Sequence, residues 1–139
     1  MLPNLDLERR IQAIERFMRE IRGDRGATEP ATWTPTWTGL TVVGSPTYVG
    51  TYTRIGRLVF WQVVITAGGA NTTASTLTTT FINNLPFISR LTFPNVRVIN
   101  NNTGVDLGNG YIVIATNDAY TPTWAATNAD IIISGWYEI

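Results

Sequence analysis

From Leu7 to Ile21 the apolar residues fall at Leu7, Ile11, Ile14, Met18 and Ile21, at intervals of four, three, four and three. That spacing predicts one amphipathic helix with a heptad seam, Ile11 and Met18 at a and Leu7, Ile14 and Ile21 at d. Asn4 is placed to cap it, with Asp6 and Glu8 in the first turn near the positive end of the dipole, and Arg22 and Gly23 at its close. About 18 residues at the helical rise give a rod of roughly 27 Å. Such a helix is marginal alone in water, so its stripe needs partners.

Beyond Ala31 the period drops to two. Strand-like runs lie at Thr36–Val43, Tyr48–Arg54, Arg57–Thr66, Thr78–Asn83, Val96–Asn100, Tyr111–Thr116, Tyr120–Trp124 and Ile131–Ile139. Turn text separates them: Gly-Ser-Pro, Ala-Gly-Gly-Ala-Asn, Asn-Asn-Thr-Gly and Gly-Asn-Gly. Seven or eight short strands with no further helical pattern predict an all-β antiparallel sandwich or jelly roll. The chain therefore divides into a helix over 1–22, a Gly/Pro/polar linker over 23–31 and a β domain over 32–139, large enough to bury a core. In "TYTRIGRLVFWQVVI" a hairpin is expected, with Gly56 at positive φ in its turn. The loops over 68–80 and 100–110 are expected to be polar and to form a distal tip.

Two strands lack a wet side. In Leu58 to Ile65, Leu58, Phe60, Gln62 and Val64 alternate with Val59, Trp61, Val63 and Ile65. In the last strand, Ile131, Ile133, Tyr137 and Ile139 alternate with Ile132 and Trp136. A sandwich core takes one face of each strand, and the second apolar face needs another cover. A subunit interface supplies it; a long loop of the same chain is the competing cover.

The helix also specifies a number. Ile at both a and d favours three or four strands over two. Arg10 falls at g and Glu15 at e, so an Arg stem can lie over the seam while its head pairs with the Glu of a neighbouring chain. Arg10-Ile11-x-x-Ile14-Glu15 resembles the short trimerisation motif of three-stranded coiled coils, and a homotrimer is expected on Leu7, Arg10, Ile11, Ile14, Glu15, Met18 and Ile21. Phe17, at g, departs from the pattern and is expected outside the bundle. The alternative is a helix packed on its own β domain.

Charge sharpens the division. Residues 1–31 hold twelve of the twenty charged side chains and residues 32–139 hold eight. Net charge is zero, with no Lys, His or Cys. Without a basic patch, nucleic acid and anionic membrane are poor partners. Without His or Cys, the usual general base, thiolate chemistry and the common metal sites are missing. No apolar run approaches the roughly 18 residues of a membrane helix, and the N-terminus lacks the apolar core of a signal peptide. Of the carboxylates in the β domain, Asp106, Asp118, Asp130 and Glu138, no spacing forces the facing pair a glycosidase needs. Gly108-Asn109-Gly110 reads as a turn and not a phosphate loop, because no helix follows it. No catalytic residue, cofactor or metal is expected.

Binding has more support. Trp33, Trp37, Tyr48, Tyr120 and Trp124 lie near turns or strand ends beside Thr and Asn, and flat aromatic faces with adjacent amides suit sugars. For each of them the competing role is core or seam packing. The text "TPTWTGLTVVGSPTYVGTYTRIGRLVFWQVVITAGG", then a Thr-rich loop, "NNLPF" and the terminal "TPTWAATNADIIISGWYEI", resembles C-terminal modules of bacteriophage tail fibres and related virion proteins. The resemblance spans about residues 35–139. It implies a trimeric jelly-roll knob, similar to tumour-necrosis-factor-like heads, often above a coiled-coil stem. It also implies a structural role on the virion surface, with other virion proteins and a host surface glycan or protein receptor as partners. Because Met1 begins almost at the coil, the implied protein is a fragment, a short spike or needle tip, or a capsid-surface protein. Capsid decoration or a head fibre is the alternative to a host-contacting knob, with a polysaccharide-degrading tail protein behind both.

Overall fold

The computed structural model describes residues 3–22 and 29–139, with side chains placed for residues 6–17 of the helix. Residues 23–28, most of the segment read as a linker, and the side chains of Met18 and Ile21 lie outside the described residues. Among the described residues one helix, α1 (Pro3–Arg22), precedes twelve strands: β1 (Ala31–Trp33), β2 (Trp37–Thr38), β3 (Leu40–Val43), β4 (Thr47–Ile55), β5 (Leu58–Thr66), β6 (Asn71–Ala74), β7 (Phe81–Ile82), β8 (Phe93–Asn100), β9 (Asp106–Ile112), β10 (Ala119–Tyr120), β11 (Trp124–Thr127) and β12 (Ile131–Glu138). The helix opens at Pro3, one residue before the expected Asn4 cap, on a residue whose fixed φ suits a first helical position. The rest is all-β and antiparallel.

Two sheets share one core. The larger runs β1–β4–β5–β12–β8–β9–β10–β7–β2, and the smaller runs β11–β6–β3. The two orders are linked: β10, β7 and β2 are neighbours in the large sheet, and their chain continuations β11, β6 and β3 are neighbours in the small one. Three adjacent strands thus turn a corner together, and the small sheet is the far end of the large one folded back over it. Val59, Trp61, Val63 and Ile65 of β5, Ile131, Ile133 and Tyr137 of β12, and Val96 and Val98 of β8 fill the space between with Ala74, Trp124 and Ala126 of the small sheet.

The corner explains where the strands differ from the expected ones. The run 36–43 is broken at Gly39, where φ is +76° and a Cβ would sit 2.0 Å from the Thr79 carbonyl oxygen. The run 120–124 is split into β10 and β11 around Thr121 and Pro122, both buried. Thr80, fully buried, binds both neighbours: its carbonyl accepts from the Thr121 N–H at 3.1 Å and its hydroxyl donates to the Gly39 carbonyl at 3.2 Å. Of the expected strand 78–83 only Phe81 and Ile82 pair as strand, while the Thr-rich text expected to be a loop supplies β6.

Gly108-Asn109-Gly110 is not a turn; it lies inside β9, which ends at Ile112 and not at Thr116. Gly110 is there because a Cβ would lie 1.8 Å from the Tyr120 carbonyl oxygen of the adjoining strand. The expected tip loops over 68–80 and 100–110 are therefore shorter, each having given a segment to the sheets. The β4–β5 hairpin forms as expected, with Ile55 opposite Leu58 and Gly56 at φ +59°. "NNLPF" is a clamp: Asn84 accepts from the Thr36 N–H and donates to the Thr34 carbonyl at 2.8 and 2.9 Å, and Asn83 donates to the Thr38 hydroxyl at 3.0 Å.

Gly110→Ala forces apart two paired backbones and should destabilise by at least about 2 kcal/mol, roughly 10 °C in melting temperature, by calorimetry. Tyr137, fully buried, accepts a hydrogen bond from the Phe87 N–H at 3.1 Å, and burial pushes its phenol above the ordinary value near 10. Its contribution is therefore intact below pH 10 and declines as pH rises further, because the unfolded phenol ionises first. Tyr137→Phe should cost about 1–3 kcal/mol at neutral pH and make the alkaline loss of stability shallower, measured by urea titrations from pH 8 to 11.

Candidate functional site

Four of the five aromatic residues expected at a binding surface pack instead against the core. Trp37 meets Trp124 edge-on at 6.1 Å between centroids and lies 6.5 Å from Tyr48. Trp33 meets Tyr52 edge-on at 5.9 Å, and Tyr52 meets Phe87 at 5.6 Å. Trp124 is buried and donates its indole N–H to the Thr72 hydroxyl at 3.1 Å. Trp33, Trp37 and Tyr48 are half-buried against the same cluster, and burial raises the Tyr48 phenol. Trp33, Trp37 and Trp124 looked peripheral because each stands beside a chain break, but the corner and the two edge strands carry those breaks inward.

Tyr120 is the exception. The strand register aligns Tyr111 of β9, Tyr120 of β10 and Phe81 of β7 on the outward side, opposite buried Ile112, Ala119 and Ile82. Tyr111 and Tyr120 stack at 5.1 Å with 8° between planes, and Phe81 and Tyr120 at 4.6 Å with 29°. Rings stacked on one another spend their faces on each other and turn edges outward, so the ladder is a brace across three short strands before it is a platform for a ligand. Burial raises the Tyr120 phenol, with Asp118 and Tyr111 adding to the effect, and burial raises the Asp118 carboxyl.

The carboxylates have structural partners. Asp106 accepts from Arg97 at 3.2 Å and from the Gly108 N–H at 2.8 Å. Asp130 accepts from the Ala67 N–H at 2.8 Å, fixing the turn after β5. Glu138 pairs with Arg90 at 2.9 Å and lies 3.9 Å from Arg57. Among the described residues no group of three or more His, Cys, Asp or Glu side chains stands close enough to hold a metal ion.

Exposed apolar side chains are scattered over the β domain, Val43, Leu77, Ile88, Leu91, Val105 and Ile114 among them, and others line two elements, the helix and the large sheet. On α1, Leu7, Arg10, Ile11, Ile14, Glu15 and Phe17 are all exposed, Leu7 at 55% and Ile14 at 60%, so the described part of the heptad stripe is left open by the other described residues. On the large sheet, Val49, Ile55, Leu58, Phe60 and Trp136 are exposed on the face opposite the core. Trp136 lies against Phe93 at 5.3 Å and leaves 42% of its surface open. A depression of about 340 Å³ sits on this face, lined by Thr51, Thr53, Phe60 and Gln62 and by Pro30, where the chain joins the β domain. The alternation in Leu58 to Ile65 and Ile131 to Tyr137 runs as the sequence predicted, and no loop among the described residues covers the outward side.

Trp124→Phe leaves the Thr72 hydroxyl buried without its donor and should cost about 1–3 kcal/mol, whereas Trp37→Phe, whose buried indole N–H has no acceptor among the described residues, should cost less than about 1 kcal/mol. Paired denaturant titrations compare them, and a larger loss at Trp37 contradicts the packing described. Compared with protein-family models, with curated proteins and with solved structures, the chain matches none.

Proposed function

We propose that this is a trimeric structural protein of a bacteriophage virion, a spike or fibre knob on a short coiled-coil stem, which contacts the host cell surface by binding and not by catalysis. The exposed heptad stripe of Leu7, Ile11 and Ile14 carries the reading: a stripe left bare by its own chain is stable only in the company of other helices. Arg10 at g and Glu15 at e, both exposed, are free of any fold-back onto the β domain and can pair between copies. The antiparallel fold supports a knob of sandwich or jelly-roll type, since β12 pairs with β5 and β8, from distant parts of the chain, and tethers both ends of the domain into one core. The resemblance of residues 35–139 to fibre modules supplies the virion setting. The surface available for a receptor is the outward ladder of Tyr111, Tyr120 and Phe81 with the neighbouring polar loops, while Trp33, Trp37, Tyr48 and Trp124 serve the core.

Sedimentation of the full chain at micromolar concentration should give three copies per particle. Tenfold dilution removes about 1.4 kcal/mol for each chain released, so the melting temperature should fall on dilution. Ile11→Asn with Ile14→Asn should abolish the trimer; an equally stable trimer in that variant would show that something other than the helix holds it. Retention of the trimer on an array of bacterial surface polysaccharides, weakened by Tyr120→Ala, supports host contact. No binding to the array or to host cells moves the protein to the capsid as a decoration or head fibre.

A further inference from the structure

The outward face of the large sheet has a centre and a margin. The strand register sets it in rows across β4, β5 and β12: Val49, Val64 and Ile132; Thr51, Gln62 and Ser134; Thr53, Phe60 and Trp136; Ile55, Leu58 and Glu138. Within these rows the one charge is Glu138, at the very end of β12, held by Arg90. Charge returns beyond them, where Arg97 of β8 pairs with Asp106 of β9. An uncharged polar row, Thr51, Gln62 and Ser134, thus lies between apolar residues, Val49, Val64 and Ile132 on one side and Phe60, Trp136, Ile55 and Leu58 on the other, and such a face inside a charged margin has the composition of a protein–protein interface. Gln62 is the middle residue of β5, flanked along the strand by Phe60 and Val64 and across it by Thr51 and Ser134. Its amide is exposed and has no hydrogen-bond partner among the described residues.

Two observations select a second copy of this chain as the occupant. The bare stripe of α1, with Arg10 and Glu15 at complementary positions, gathers copies of the chain. The chain then joins the β domain at Pro30, in the wall of the depression on this same face. The eight residues from Gly23 to Pro30 span at most about 27 Å, so bundled helices hold the faces of their copies together at roughly millimolar effective concentration.

We propose that this face is the seam of the trimer, with three copies turning β5 toward a common axis and their Gln62 amides meeting on it. The inference rests on the trimeric reading above and adds the surface that the β domains share. A threefold contact is heterologous, so the β4 side of one copy, Val49, Thr53 and Ile55, meets the β12 side of the next, Ile132 and Trp136. On the axis each Gln62 Nε2 donates to the Oε1 of the next copy and closes a ring of three bonds. Phe60 and Val64 form apolar layers on either side. One polar layer among apolar ones fixes register, as a single buried Asn does in a coiled coil.

Gln62→Glu in the full-length protein puts three carboxylates on the axis. Burial and like charge raise their pKa, so the variant trimer holds at low pH and loosens as pH rises through the raised value. Sedimentation equilibrium from pH 5 to 8 should show its dissociation midpoint rising at least about tenfold per pH unit. The parent, which has no His, should stay flat over that range. Because the chain has no Cys, Val64→Cys adds a single thiol: a short three-armed maleimide should join it into covalent trimers, while Thr41→Cys, exposed on the small sheet, should remain single chains. A trimeric parent whose Gln62→Glu variant ignores pH, or which cross-links equally at the two thiols, overturns the seam and leaves the coiled coil standing. A monomeric parent overturns both.

Discussion

Strand β5 carries apolar residues on both sides, and the described residues cover one of them. Val59, Trp61, Val63 and Ile65 face inward and are essentially inaccessible, while Leu58 and Phe60 face outward and stay open. Its two neighbours, β4 and β12, add Val49, Ile55, Ile132 and Trp136 on that side, so the excess gathers on one sheet face. Scattered exposed aliphatics are ordinary on a folded protein; two apolar layers on either side of one uncharged polar row, on a single sheet face, are not. The remaining architecture is arranged around this strand: the small sheet folds over its inner side, and the chain joins the domain beside its outer side.

The folding-over is achieved by close approach of backbones. At the corner three strands change sheets within a few residues of one another, which brings carbonyls and α-carbons to distances that a side chain would block. Gly39 and Gly110 keep that space empty, and buried Thr80 satisfies the backbone groups that neither sheet can pair, using its own carbonyl and hydroxyl. Buried hydroxyls are tolerated there because each has a partner. The same turn swings Trp37 and Trp124 into edge-to-face contact, so residues adjacent to loops in the chain become the inner lining of the bend.

The polar residues at the ends of the ladders are occupied with the geometry of the β domain itself. Asp106, Asp130, Asn83, Asn84 and Asn128 cap turns or clamp passing backbone, and Glu138 ties the end of β12 to Arg90. Such groups satisfy main-chain donors and acceptors where the ladders stop, which is why Asn, Asp and Thr abound here without forming a titratable cluster. The burial that raises Asp118 and Tyr120 belongs to the aromatic ladder beside them.

The linear pattern alone determined the helix, the all-β class, the β4–β5 hairpin and which side chains of β5 and β12 face together. All of these follow from a period of two or three and a half, read over neighbours in the chain. The ends of β9, the existence of β6, the burial of Trp33, Trp37, Tyr48 and Trp124, and the outward stacking of Tyr120 on Tyr111 and Phe81 were decided only by tertiary structure. Each depends on contacts between residues some ten to eighty-odd positions apart: the Tyr120 carbonyl over Gly110, the Thr72 hydroxyl beneath Trp124. A glycine that makes room for a distant backbone and a glycine that makes a turn are the same letter in a sequence, and only the folded chain separates them.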